Sequence, residues 1–281
     1  MTTPQRLKGL ACVITGGASG IERSTAKNFV EHGAEVIIAD RQVELGEAVA
    51  KELGPAVTFV RCDVTKEADV AAAVDAAIAR HGRLDVMFNN AGVIGERGPI
   101  DQARAEDFDA SLGVNLRSVF LGIKHAARVM KERGTGCILN TASVVAVTGG
   151  RGPHGYAAAK AGVVGLTQST ARELRAHNVR VNCILPGAVV TPLTRSLRPE
   201  THANKTDEQV GQFLVDRGMG FGGRHITPDD IANLAVFLAS PDSCFITGQG
   251  IVTDGGMIDL YKDSWDMCFG TREEVAREAG C

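Results

Sequence analysis

Short runs of apolar, mostly β-branched residues alternate along this chain with longer stretches in which apolar residues recur every three or four positions. The short runs cover residues 10–15, 35–40, 57–63, 84–89, 136–142, 179–185 and 250–254. Several are continuously apolar, such as Val36-Ile37-Ile38-Ala39, which is how a strand covered on both faces reads. Between them lie helical patterns. Residues 66–81 place Val70, Val74, Ala77 and Ile78 on one face. Residues 115–133 place Leu116, Phe120, Ile123, Ala127 and Met130 in one stripe, while Arg117, Lys124, Arg128 and Lys131 fall elsewhere. Thr227-Pro228-Asp229-Asp230 reads as a helix start, with a capping Thr and Pro at the first position. Strand–helix–strand repetition of this kind predicts an α/β fold, a parallel sheet with right-handed crossovers and helices on both faces.

Residues 187–225 break the rhythm with Pro192, Pro199, six glycines and a charged run at 205–208, so they are expected to form a substrate lid rather than a structureless loop. No repeat or linker divides the chain. Residues 1–257 are therefore expected to be one domain and residues 258–281 a tail, with a charged helical pattern at 271–279.

Composition narrows the function. At 281 residues the chain can bury a large core without disulfides or metals. With 30 Lys plus Arg against 33 Asp plus Glu it lacks the basic surface that nucleic acid or an anionic membrane requires, so neither is expected as a partner. Seven scattered cysteines, with no Cys-x-x-Cys, fit a reducing compartment and no metal site. The first ten residues contain no apolar run of signal-peptide length, and no stretch approaches the ~18 apolar residues of a membrane span. The expectation is a cytoplasmic protein. Glycine is in excess, 33 residues, which points to tight turns and close backbone approaches.

One such place is Thr15-Gly16-Gly17-Ala18-Ser19-Gly20-Ile21-Glu22, between the first strand and the first helix. Glycines there let the backbone approach a pyrophosphate, and the helix N-terminus offers unpaired N–H groups and a partial positive charge. The second strand ends in Asp40, 24 residues after Gly16. A carboxylate at that point accepts hydrogen bonds from adenosine ribose hydroxyls and repels a 2′-phosphate; Arg41, next to it, would tolerate one.

Tyr156 and Lys160 stand four residues apart in a helical stretch and share a face. Tyr is a weak acid, and a neighbouring ammonium favours its phenolate, so the pair is expected to exchange a proton with an alcohol near neutral pH. Ser143, 13 residues before Tyr156 at the end of the fifth strand, is placed to hydrogen-bond the same substrate oxygen.

Taken in order, Thr15-Gly16-x-x-x-Gly20-Ile21, Asp63-Val64, Asn89-Asn90-Ala91-Gly92, Asn115, Ser143, Tyr156-x-x-x-Lys160 and Pro186-Gly187-x-Val189-x-Thr191 resemble the short-chain dehydrogenase/reductases of about 250 residues, over residues 7 to 257. The resemblance implies a doubly wound, Rossmann-like sheet of seven strands and a nicotinamide dinucleotide. It implies that Tyr156 is the general acid/base, that Lys160 lowers its pKa and holds the nicotinamide ribose, that Ser143 orients the substrate carbonyl, and that Asn115 fixes a water in a proton relay. By the same resemblance Gly16, Ser19, Gly20 and Ile21 surround the phosphates, and Asp63 and Val64 contact the adenine. Asn90, Ala91 and Gly92 line the ribose, and Pro186, Gly187, Val189 and Thr191 lie toward the carboxamide. It also implies a homo-oligomer, a tetramer, for which the stripe Leu116, Phe120, Ile123, Ala127, Met130 is the candidate seam. The sequence departs from the pattern at Glu22, where the family has a third glycine.

Val144, Val145 and Ala146 after Ser143, and Ala188, Val189 and Val190 at the start of the lid, suggest an apolar pocket, with Arg151 and His154 as candidates to meet a polar substituent. The pattern is closest to NAD-using alicyclic, dihydrodiol, lignan and steroid alcohol dehydrogenases, which implies oxidation of a cyclic secondary alcohol to a ketone. Two alternatives stand beside this: an NADPH-dependent 3-oxoacyl thioester reductase, for which Arg41 speaks and Asp40 does not, and a non-catalytic dinucleotide sensor, which has no use for a Ser-Tyr-Lys set.

Overall fold

The alternation along each apolar run is resolved by a sheet with a core on either side. In the computed structural model, which describes residues 5–197, 202 and 204–258, seven strands form one sheet: β1 Ala11–Thr15, β2 Glu35–Asp40, β3 Val57–Arg61, β4 Val86–Asn89, β5 Gly136–Thr141, β6 Val179–Pro186 and, last in the sheet, Gly250–Thr253. All neighbours are parallel, and the spatial order is β3-β2-β1-β4-β5-β6 followed by Gly250–Thr253. Each strand lies within two residues of the run that predicts it at either end.

Successive side chains of a strand point to opposite faces, so each central strand feeds both cores. Val13 of β1 and Ile37 and Ala39 of β2 join one core, against α3 (Glu67–His81), α5 (Ser118–Arg133) and α6 (His154–Leu174). Cys12 and Ile14, with Val36 and Ile38, join the other, against α1 (Gly20–Glu31), α2 (Val43–Leu53) and α9 (Pro228–Ala239). This is why Val36-Ile37-Ile38-Ala39 shows no polar position: neither face meets water. The fold is a single α/β domain, doubly wound and Rossmann-like, with helices on both sides of the sheet. Cys12, Cys62, Cys137 and Cys183 are buried free thiols and Cys244 is exposed; Cys268, Cys281 and the helical pattern at 271–279 lie outside the described residues.

The strand order reverses between β1 and β4, the place where open sheets of this kind leave a crevice beyond the carboxyl ends of their strands. Thr15 closes the seam there: its Oγ1 accepts from the Asn90 amide at 3.1 Å, tying the end of β1 to the chain leaving β4. The insertion after β6 is built from α7 (Pro192–Leu197), α8 (Asp207–Val215) and a short antiparallel pair, β7 Gly220–Phe221 and β8 Arg224–His225, so the strand Gly250–Thr253 is β9. Helix α8 starts with a reciprocal cap between Thr206 and Gln209. Helix α9 starts as its sequence predicts, with Pro228 in the first turn and the Asp230 carboxylate accepting from Thr227 N and Oγ1, both at 2.8 Å.

The apolar stripe on α5 corrects one expectation. Ile123 and Met130 are buried against the chain's own sheet, and Leu116 packs on α6 against Gly162. Phe120 is 49% exposed and turns outward. A stripe of this spacing looks the same whether it covers its own sheet or a neighbour, and here most of it covers its own sheet. Helix α4 (Ala105–Leu112) precedes a single π-turn, Gly113–Arg117, that shortens α5 to begin at Ser118 rather than at Asn115.

Candidate active site

A cavity of about 750 Å³ opens at the reversal of strand order. Its floor is the glycine-rich loop. Gly16 (φ +83°) and Gly20 (φ +59°) adopt left-handed conformations that other residues rarely take, and a Cβ on Gly17 would stand 2.6 Å from that of Ile38. The loop therefore lies flat on β2 and leads into α1, whose capping residue, Ser19, makes no side-chain bond to the first turn. The N-terminus of a twelve-residue helix, left uncapped by Ser19 and opening on the cavity at Gly20 with the Glu22 carboxylate as the one acidic group beside it, fits the phosphates of a dinucleotide.

Asp40 ends β2 beside this loop. Only 6% exposed, it accepts from Ala18 N at 3.2 Å and from Gln42 N at 2.9 Å, so its carboxylate helps shape the loop. Arg41 is exposed. Asp63 takes both the amide and the hydroxyl of Thr65, which hold its carboxyl below the usual carboxylate range. Asn90 is buried and its side-chain oxygen accepts from the Thr141 hydroxyl. Ser19, Gly20, Ile21, Asn90, Gly92, Pro186, Gly187, Val189 and Thr191 line the cavity. Gly16, Asp40, Arg41, Asp63, Val64 and Ala91 do not: Asp40, Arg41, Asp63 and Val64 stand at or just after the ends of β2 and β3, and Gly16 and Ala91 lie against each other after β1 and β4.

The opposite wall carries Ser143, Tyr156 and Lys160. Helix α6 buries Gly155, Ala159, Lys160, Val163, Thr167, Ala171 and Leu174, a single face, and so fixes the rotation of Tyr156 into the cavity. Ser143 ends the β5 region and caps the short turn Val144–Ala146 through Val145 N at 3.3 Å. Lys160, 2% exposed, donates to the Thr141 carbonyl at 2.8 Å, with its ammonium 5.5 Å from the centre of the Tyr156 ring. Burial drives the protonation states. It pushes the Tyr156 hydroxyl up to about 12, against a hydrogen bond with Ser143 that pulls it down. It pushes the Lys160 ammonium down to about 8, opposed by the charge of Glu22. The Lys160 ammonium lies beside the Tyr156 ring and is itself buried.

Asn115 sits in the π-turn, wholly buried. Its side chain clamps Val93, accepting from the amide at 3.0 Å and donating to the carbonyl at 2.9 Å, and also donates to Ser111. A Cβ on Gly92 would meet Asn115 Oδ1 at 3.1 Å and Lys160 Nζ at 3.8 Å, so this asparagine braces the turn that passes beside the lysine.

The insertion supplies what sequence patterns missed. Leu193, Leu197, His202, Phe213, Leu214, Arg217 and Met219 line the cavity. His202 is 3% exposed and stands edge-on to Phe213, ring centres 5.1 Å apart; its Nδ1 has no partner among the described residues. Arg217 stacks over the same ring at 4.3 Å. No local periodicity marks these residues, since they meet only when the insertion folds back. Of the two polar candidates near Tyr156, Arg151 lines the cavity and His154 is exposed and does not. Glu22 faces the cavity, its carboxylate folded back over Gly16 and Gly20. Among the described residues there is no cluster of His, Cys, Asp or Glu able to hold a metal, and no helix long and apolar enough to cross a membrane.

Comparison with known proteins agrees with this geometry. Residues 16–258 match a family pattern described as enoyl-(acyl carrier protein) reductase. Momilactone A synthase of Oryza sativa subsp. japonica is 47% identical over 90% of this chain and 91% of its own. Borneol dehydrogenase, mitochondrial, of Lavandula x intermedia is 43% identical over 91% of this chain and 93% of its own. Among solved structures, 3-ketoacyl-(acyl-carrier-protein) reductase from Brucella melitensis, complexed with NADH, superposes with a TM-score of 0.77 at 37% identity, covering 89% of this chain and 99% of the other. With the seven-stranded doubly wound sheet, the glycine loop and the Ser143, Tyr156 and Lys160 wall, these matches mean that the chain belongs to the short-chain dehydrogenase/reductase family.

Proposed function

We propose that this protein is an NAD-dependent dehydrogenase of cyclic, largely apolar secondary alcohols, which it converts to ketones. One observation carries the reading: Ser143, Tyr156 and Lys160 share one wall of a cavity whose floor is a glycine loop at an uncapped helix end. The dinucleotide, when bound, supplies the acceptor for the hydride that leaves the carbinol carbon. The chain does the rest. Ser143 holds the substrate oxygen. Tyr156 takes the hydroxyl proton in oxidation and returns it to the ketone oxygen in reduction. At neutral pH its hydroxyl is protonated, which suits the donor role. Oxidation needs the phenolate and is favoured by rising pH and by the neighbouring Lys160 cation. Asn115 holds the turn beside Lys160.

The dinucleotide is held, in this reading, by Gly16, Ser19, Gly20 and Ile21 at the phosphates, Asp40 and Arg41 at the adenosine ribose, and Asp63 and Val64 at the adenine. Asn90, Ala91 and Gly92 take the other ribose, with Pro186, Gly187, Val189 and Thr191 beyond it. The choice of NAD over NADP rests on the Asp40 carboxylate, which a 2′-phosphate would confront. The choice of substrate rests on the apolar lining from Val144, Val145, Leu193, Leu197, Phe213 and Met219. The lavender relative acts, by its name, on borneol, a cyclic secondary alcohol. His202 and Arg217 give that apolar space a polar patch for a second oxygen of the substrate.

The reading includes a homo-oligomer, a tetramer, in which the exposed Phe120 of α5 and Phe108 of α4 are covered, and a cytoplasmic location, although the lavender relative carries a mitochondrial label. A panel of cyclic and open-chain secondary alcohols, offered with NAD and with NADP and followed at the reduced-nicotinamide absorbance, tests the function. Turnover of cyclic members with NAD supports it; turnover of 3-hydroxyacyl thioesters with NADP alone would replace it. A particle of 29.6 kDa by light scattering would remove the oligomer.

A further inference from the structure

Glu22 stands where the rest of its loop is built from residues with little or no side chain. Its carboxylate does not point to solvent. One oxygen lies 2.8 Å from where a Cβ of Gly16 would be, and the other 3.2 Å from that of Gly20. Those are the two glycines with left-handed backbones, so the carboxylate fills the notch that they leave open, in the wall of the cavity that Ser19, Gly20 and Ile21 also line. The Glu22 main-chain amide and the Asn90 side chain are the neighbours that favour its ionised form. The charged groups that face it are Asp40 from the end of β2, which opposes its ionisation, and Lys160 from α6, which favours it. Tyr156, also of α6, lines the same cavity, and Thr191, from the loop after β6, is uncharged. On its own helix, Arg23 is turned away to Glu52.

We propose that Glu22 is a cofactor-binding residue that acts as a neutral carboxylic acid: it stays in the phosphate notch, is protonated in the dinucleotide complex (gaining the proton on binding only where the free carboxyl is ionised), and donates that proton as a hydrogen bond toward the phosphates. The proposal rests on the dinucleotide reading above. An ionised carboxylate in that notch has only acceptor oxygens to offer to phosphate oxygens, whereas the acid has an O–H donor. The notch already favours the acid. Burial, the largest effect, lifts the Glu22 carboxyl up to about 8, against the hydrogen bonds that pull it down. The charge of a phosphate close by moves it further the same way. The sign follows. Below about pH 8 the free protein already carries the acid, and affinity is insensitive to pH. Above it the proton must be gained on binding, and Kd rises about tenfold per pH unit until the complex itself titrates.

The test is calorimetric titration of the full-length protein with NAD and with NADH, at about pH 6.5 and about pH 9. Each titration is run in two buffers of different ionisation enthalpy, for wild type, Glu22→Gln and Glu22→Gly, and circular dichroism checks that all three are folded. Lys160 titrates in the same range, so the proton count is read as the difference from Glu22→Gln, in which the lysine remains. Expected at about pH 9 is an uptake of roughly 0.9 proton per dinucleotide that Glu22→Gln lacks, with Kd weakened about tenfold relative to about pH 6.5 in wild type only. At about pH 6.5 wild type and Glu22→Gln are expected to agree within roughly twofold. Equal proton counts and pH profiles in the two proteins would overturn the inference and mean that Glu22 swings out to solvent. Weaker binding by Glu22→Gln at high pH would overturn it by showing a favourable contact of the ionised form. If no variant bound dinucleotide at either pH, Glu22→Gly included, the cofactor reading itself would fall, and this inference with it.

Discussion

Two helix ends meet at the cavity, and both have drawn a glutamate. At α6, the N–H of Gly155 is taken by Glu96, which arrives from the loop after β4, 59 residues away, and is 6% exposed. At α1 the glutamate is Glu22, from the helix's own first turn. In both cases a carboxyl group sits at a helix end that leaves backbone N–H groups without helical partners. The difference is the side from which it comes. Glu96 plugs α6 from behind and is no part of the cavity wall, which leaves Tyr156 and Lys160 to project forward. Glu22 plugs α1 from inside the cavity, on the surface that a ligand needs. A helix end closed from within the fold is a structural anchor, and one closed from the ligand's side is part of the binding equilibrium.

The contrast is broken most strongly at the α6 end. Tyr156→Phe is expected to cut kcat by about 10²–10⁴-fold while dinucleotide affinity stays within a few-fold, because the hydroxyl moves a proton and holds little else. A variant that keeps more than about a tenth of wild-type kcat removes Tyr156 from the proton transfer.

At the α1 end the matching experiment is Asp40→Ala. A carboxylate facing a 2′-phosphate costs about 1–3 kcal/mol after partial screening, so wild type should prefer NAD by several-fold to hundreds-fold in kcat/KM, and the variant should lose most of that preference. Equal use of the two cofactors by wild type would make Arg41 the dominant neighbour.

Glu96→Ala sharpens the comparison through stability. It strips Gly155 of its partner inside the fold, and the loss of a helix cap is worth about 0.5–2 kcal/mol, which is a few degrees in Tm for a chain of this size. Thermal melts of the unliganded protein measure it. If Glu96 is an anchor and Glu22 is not, Glu96→Ala lowers Tm at every pH, whereas Glu22→Gln does not, and Glu22→Gly lowers it only slightly through helix propensity.

The smallest effect is the pH dependence of Glu22 in the unliganded protein. Macrodipole and burial oppose each other here: the helix end favours the anion by about 0.3–1 kcal/mol, but the carboxyl is nevertheless raised from 4.5 to about 8, so burial wins. An acid whose folded pKa lies above its unfolded one costs stability as it ionises. The cost is absent below about pH 4.5, grows from there to about pH 8, and is complete above that. Glu22→Gln should therefore melt higher than wild type at pH 8–9 and converge with it near pH 5. A difference that does not change with pH would mean that Glu22 is ionised throughout.

The residues differ in how visibly they announced themselves. Tyr156 and Lys160 were legible because a four-residue spacing in a helix is a geometric statement, and α6 does put both on the cavity side. Gly16 and Gly20 were legible because a positive φ leaves few other choices of residue. Asp40 was legible as the last residue of β2, beside the cavity rather than in its wall. Ile123 and Met130 read equally well as a seam between subunits and are buried in the chain's own core, since periodicity tells that a helix has an apolar face and says nothing of what lies against it. Glu96 gave no signal: its partner is 59 residues away. Neither did His202, Phe213 and Arg217, brought together by α8 and the chain on either side of it.

By itself the sequence determined the seven strands, the helices between them, the two-sided core and the order of the motifs at the strand ends. These follow from period, turn chemistry and the burial of apolar faces, which act over a few residues at a time. Only the tertiary structure decided where the carboxylates of Glu22 and Glu96 lie, that burial sets the protonation of Tyr156 and Lys160, and what the insertion contributes to the cavity wall. Those depend on desolvation and on contacts between distant segments, and neither quantity exists until the chain has closed on itself.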